Sequence, residues 1–257
     1  MPLIGSLKTL LLRGLLAGLI AGLLAATVGY FVGEPQVDAA IAIEEAGSAG
    51  HSHGPEATEG HSHGEEALVS RSGQKAGQFL ALGLAGMAFG ALFAAAINVA
   101  RRFTKLSGTQ LSLTAAVLAW AAIVAVPFFK YPANPPAVGD PETINERTWL
   151  WVAAVVLGLL AVTAAVAAYR ALAASDTLRL IAGVGAFVVV TTVGYVLLPG
   201  VNEVADDFPA TLLWNFRVAS LAQTTTLWVS LGLAFAALTE FAARRSTAVV
   251  DKVPTAG

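Results

Sequence analysis

The chain has 257 residues, 56% of them apolar and only 12% charged, with a formal net charge of −2. Soluble domains carry roughly 25% charged residues, so this composition excludes a large soluble core and predicts a polytopic membrane protein. A near-zero net charge without a basic stripe excludes nucleic-acid binding. The lack of cysteine removes disulfides, thiolate metal sites and cysteine nucleophiles.

A spanning helix needs about 20 mainly apolar residues, and six stretches qualify. They are Leu10–Val32, Ala76–Val99, Leu111–Phe129, Trp149–Tyr169, Leu178–Leu198 and Val218–Phe241. Lys8 and Arg13 give the first a signal-like flank, but signal h-regions run about 7–15 residues. This run is longer, which predicts an uncleaved first helix. Thr191, Thr192 and Gly194 dilute the fifth.

The expected fold is an all-α integral membrane protein of about six transmembrane helices. Residues 1–33 form the first helix, 34–75 an exterior loop, 76–245 a five-helix bundle and 246–257 a cytoplasmic tail. With the N-terminus inside, ten Lys and Arg lie at cytoplasmic ends, among them Lys8, Arg101, Arg102, Lys105, Arg170 and Arg179. Arg71, Lys75, Lys130, Arg147 and Arg217 are the five left outside. This bias places both termini in the cytoplasm. Gly14, Gly18 and Gly22 recur every four positions in the first span, as Gly86 and Gly90 do in the second. Such spacing permits close backbone approach in lipid, although glycine is also simply common in membrane helices.

All four histidines lie in the exterior loop, in two His-Ser-His-Gly copies: His51 with His53, and His61 with His63. Imidazole is mostly neutral at pH 7 and free to coordinate metal. In extended backbone, residues i and i+2 point to the same side, so each pair can share one ion. Glu65 and Glu66 stand next to the second copy, with Glu44, Glu45, Glu56 and Glu59 nearby. The loop is poor in aromatics and is expected to be disordered without a ligand. It suits reversible capture of a divalent cation, though short His-rich tracts also occur as low-complexity loops of promiscuous affinity.

The other two exterior loops are stiffer, since each proline fixes φ and restricts the residue before it. Asn134, Asp140 and Arg147 lie in or after one; Glu203, Asp206, Asn215 and Arg217 lie in or after the other. Both run from Pro and Asn through acids to an Arg at the start of a helix, as a decayed repeat would. Asp140, Glu203 and Asp206 are candidate second-stage cation ligands, or else turn-formers and caps. In the sixth span Ser220 shares a helix face with Gln223 and with Thr224. Arg217 lies near the interface, where its long side chain reaches water, and polar groups in a membrane face the bundle interior or a watery cavity. With Asn134, Arg147 and Asn215 they mark a candidate path, or they hydrogen-bond helices together. No phosphate loop of the form G-x-x-x-x-G-K-[ST] occurs, nor H-E-x-x-H or any other catalytic arrangement, so an enzyme is not expected.

Two long motifs go further. KYPANPPAVGDPETINERT precedes the fourth span and LPGVNEVADDFPATLLWNFRVASL leads into the sixth. With the HSHG repeats after the first span they make the chain resemble the CbtA family, predicted cobalt transporter subunits of bacterial cytoplasmic membranes, over essentially its whole length. The resemblance implies a multi-pass protein in cobalt uptake for cobalamin biosynthesis, acting with a small His-bearing membrane subunit, CbtB. It implies Co²⁺ as the transported ion, with no organic cofactor. Nitrogen and oxygen sites bind Ni²⁺ at least as tightly, so Ni²⁺ or Zn²⁺ are alternative cargoes. A non-conducting accessory or sensor subunit is the alternative role, and a homo-oligomer is compatible with either.

Overall fold

A computed structural model describes residues 3, 5–49 and 69–250. Among these residues the chain is helical, with no strand. The helices are α1 (Leu7–Val28), α2 (Glu34–Ala49), α3 (Arg71–Ala100), α4 (Gly108–Trp120), α5 (Val126–Lys130), α6 (Ile144–Ala171), α7 (Asp176–Leu197) and α8 (Ala210–Val250). A π-helical turn at Gly29–Gly33 joins α1 to α2, and another at Ala121–Ala125 joins α4 to α5. Six continuous helical segments are therefore long and apolar enough to cross a membrane.

Serine begins many of these elements. Ser6, Ser70, Ser107 and Ser175 each accept a backbone N–H in the first turn of α1, α3, α4 and α7. At α4 the cap is reciprocal: the Gln110 side chain accepts from the Ser107 N–H.

Proline accounts for both π-helical turns. Pro35 and Pro127 have no N–H, and each ring would clash with the carbonyl four residues back. Those carbonyls belong to Phe31 and Ile123, the centres of the two widened turns. Widening from an i−4 to an i−5 repeat relieves the clash without ending the helix.

α1 and α2 together run about 65 Å at 1.5 Å per residue, roughly twice a bilayer's hydrocarbon thickness. The sequence predicts a loop from residue 34, but helix persists to Ala49. Two causes are visible. Ala, Ile and Glu dominate 39–46, and Ala and Glu are good helix formers. Asp38 also takes two cations from the first turns of α3: Arg71 Nε at 2.9 Å and Lys75 Nζ at 2.7 Å. Glu34 pairs with Arg71 as well.

The helices pack in the order α3, α1, α8, α4, α6, α7, with α8 seated between α1 and α4. α1 and α3 meet through their glycines. A Cβ on Gly18 would lie 2.0 Å from the Gly86 carbonyl oxygen, and one on Gly14 would lie 2.2 Å from that of Gly90. The four-residue spacing is thus a close-packed seam. Beside it lies an aromatic core: the Phe93 and Phe235 rings meet edge-on at 5.5 Å, and Phe89 meets Trp228 at 5.7 Å. Leu231 and Ile97 are fully buried with them. α7 packs chiefly against α6 and exposes Val184, Val188, Val189 and Val196, the surface a lipid-facing helix needs.

The end where α1 begins is tied by cations. Arg101 donates to the Gly5 carbonyl at 3.0 Å, Arg170 to that of Phe103, and Arg179 to that of Tyr169. The helices thus alternate between two ends, and the prolyl loops share the opposite one.

Candidate functional site

The two stiff loops meet and interlock. Arg147, in the first turns of α6, reaches Glu203 in the loop before α8, Nη1 to Oε2 at 3.0 Å. Thr143 donates to the other Glu203 oxygen at 2.5 Å. In return Arg217, in the first turns of α8, reaches the loop before α6: Nη2 donates to Asn134 Oδ1 at 2.9 Å and Nε to the Ala133 carbonyl at 3.4 Å. Each helix start therefore holds the loop that leads into the other helix.

Backbone geometry makes room for this clasp. Gly139 has φ of +116°, and a Cβ there would lie 2.2 Å from Arg147 Nη1. Only glycine accommodates both the left-handed backbone and the guanidinium. Asp140 accepts the Glu142 N–H at 2.9 Å and so caps the short 3₁₀ turn Pro141–Thr143. Its carbonyl receives both Thr143 Oγ1 and Arg147 Nη2.

α5 and the end of α7 are tied at the same level. Lys130 Nζ donates to the Tyr195 carbonyl at 2.9 Å, and Tyr131 donates to that of Pro199 at 2.7 Å. Partial burial raises the Tyr131 phenol above its ordinary pKa, which keeps it a donor.

Beneath the clasp α8 carries a polar line. Arg217, Ser220 and Gln223 recur every three residues and are half-buried, whereas Asn215 and Thr224 are exposed. α8 meets both π-helical turns, through Gln223 of this line at the first and through Thr225 beside the second. The Gln223 carboxamide lies against Gly29 in the first. At the second, Trp120 Nε1, on its threshold, donates to Thr225 Oγ1 at 3.0 Å. Below this level the aromatic core closes the space between α3 and α8.

Over residues 7–240 the chain matches a family described as a probable cobalt transporter subunit, CbtA. The chain belongs to the CbtA family. No curated protein and no solved structure matches it. In this CbtA chain both long motifs contribute residues to the clasp: Asn134, Asp140, Thr143 and Arg147 from one, Glu203 and Arg217 from the other.

The sequence-derived candidates separate into three groups in the CbtA fold. Asn134, Asp140, Arg147, Glu203 and Arg217 come together in the clasp, and Ser220 and Gln223 continue it into the bundle. Asp206 and Asn215 belong to the same region but are exposed. His51, His53, His61, His63, Glu65 and Glu66 lie outside the described residues. No group of three or more His, Asp or Glu with metal-binding geometry occurs among the described residues. Thr143, Gly29, Gln78 and the Trp120–Thr225 pair were not legible as site residues. Pro35 and Pro127 were the available signal, since an interior proline demands a distorted turn.

Proposed function

We propose that this CbtA chain is the membrane-embedded component that passes a divalent cation, chiefly Co²⁺, into the cell across the bacterial cytoplasmic membrane. Both termini are cytoplasmic, and the clasp and the His-rich segment face outward. The histidine pairs gather the ion, the clasp frames its point of arrival, and the polar line of α8 takes it into the bundle. Ni²⁺ and Zn²⁺ compete for the same donors. The observation that carries this reading is the half-buried line Arg217, Ser220 and Gln223, running inward from the interlocked loops, in a chain of a cobalt transporter family.

The driving force needs no nucleotide. An inside-negative potential contributes about 2.3 kcal/mol per charge per 100 mV, or about 4.6 kcal/mol for a dication. The chemistry is binding and passage, without catalysis or an organic cofactor.

A second reading follows from the family's description as a subunit. Here the chain gathers metal for a partner, such as a small His-bearing membrane protein, and does not conduct alone. Radioactive Co²⁺ uptake into proteoliposomes of the purified protein, with an imposed inside-negative potential, separates the two. Saturable uptake that grows with the potential supports conduction. A folded, metal-binding protein that takes up nothing overturns self-sufficient transport and leaves the subunit role.

A further inference from the structure

Two carboxamides converge where the first π-helical turn begins. A Cβ placed on Gly29 would lie 2.6 Å from Gln78 Nε2 of α3 and 2.8 Å from Gln223 Oε1 of α8. Three helices thus bring two neutral polar groups and a bare stretch of backbone to one point. Gln78 Oε1 is shielded from solvent and accepts no hydrogen bond from the described residues. A buried amide oxygen without a donor is costly, and more so among apolar helices. π-helical turns in α-helices frequently mark functional sites. Gln223 is also the innermost member of the line that descends from the clasp.

We propose that Gln78 and Gln223, held against Gly29, form a neutral subsite for a divalent cation just inside the outer mouth. This deepens the transport reading and rests on it. Carboxamide oxygens are hard donors that suit a dication still carrying most of its water. A carboxylate pair here would bind a dication far more tightly and hold it. Two amides replace part of the hydration shell and release the ion readily, as conduction requires. Passage through this neutral subsite is driven by the membrane potential.

Gly29→Ala is the sharpest variant. The atoms nearest the new methyl belong to the flexible ends of two side chains, so it displaces the carboxamides while leaving the fold intact. Co²⁺ uptake by Gly29→Ala, Gln78→Leu and Gln223→Leu is measured in proteoliposomes under an inside-negative potential. At subsaturating Co²⁺ each variant is expected to lose about tenfold or more, since a hydrogen-bonding partner to a charged group is removed. Gln223→Glu should lower the apparent KM and the maximal rate together, because an ion held more tightly leaves more slowly.

A second readout works without transport. In a background with His51, His53, His61 and His63 changed to Ala, millimolar Co²⁺ is expected to raise the Tm. Gln78→Leu and Gln223→Leu should abolish that rise. Variants that match the parent in both apparent affinity and Tm shift would overturn the subsite. A parent that takes up no Co²⁺ but keeps the amide-dependent Tm shift would overturn conduction alone.

Discussion

Arg147 and Glu203 pair across two loops separated by a full passage of α6 and α7, with Nη1 and Oε2 3.0 Å apart. The partner contact, Arg217 to Asn134, runs the opposite way between the same loops. The two contacts fix the starts of α6 and α8 relative to each other, and with them the orientation of the polar line below.

The clasp should behave as a coupled unit. Arg147→Ala and Glu203→Gln should each lower stability by about 1–3 kcal/mol, because each leaves a half-buried charge or its partner unmatched. The double variant should cost less than the sum. Thermal unfolding of the four proteins in detergent checks this, and strictly additive losses would show that the pair contributes nothing as a pair.

Glycines of one type should respond in opposite directions. Gly18→Ala drives a methyl to 2.0 Å from the Gly86 carbonyl oxygen, a backbone atom that cannot step aside, and should cost about 3 kcal/mol or more. Gly77→Ala meets nothing within 4 Å and should stabilise α3 by about 0.5–1 kcal/mol. Comparing the yield of monodisperse protein and the melting temperature decides between them.

The α2–α3 contact should weaken in acid. The hydrogen bond from Lys75, followed by that from Arg71, lowers the Asp38 carboxyl below its ordinary value; the residue lies beyond the apolar run that ends at Val32. A depressed folded pKa means the stabilisation is fully present above the unfolded value of about 3.9 and is lost as pH falls through the folded one. Hydrogen-exchange protection in α2 should therefore hold down to about pH 4 and drop below it, and Asp38→Asn should flatten that dependence.

Ion capture by the histidine pairs should have the opposite type of proton dependence. Imidazole must be neutral to coordinate, and its ordinary pKa is near 6.5, so Co²⁺ binding should weaken below about pH 6. Isothermal titration at pH 7.5 and pH 5 tests this. Equal affinity at both would remove His51, His53, His61 and His63 from the capture step.

Much of the architecture follows from local chemistry. Twenty-residue apolar runs have no stable place except a bilayer, which requires their backbone to be helical, so six spans are legible without any contact between them. The glycine repeat at Gly14, Gly18 and Gly22 was legible as a possible seam, but its partner helix was not. The extension of the first helix to Ala49 escaped because polar composition outweighed helix propensity, and because the cations that steady it, Arg71 and Lys75, come from another helix.

The sequence by itself determined the spans, their alternation, the interior prolines and the presence of two loops rich in Pro, Asn, acid and Arg. Only the tertiary structure decided that Arg147 meets Glu203, that Arg217 meets Asn134, and that Gln78 and Gln223 converge on Gly29. The physical reason is one of range. Hydropathy and backbone hydrogen bonding act on neighbours along the chain, whereas side-chain pairing between helices depends on which faces turn toward each other. That is set by close packing across α1, α3 and α8 together.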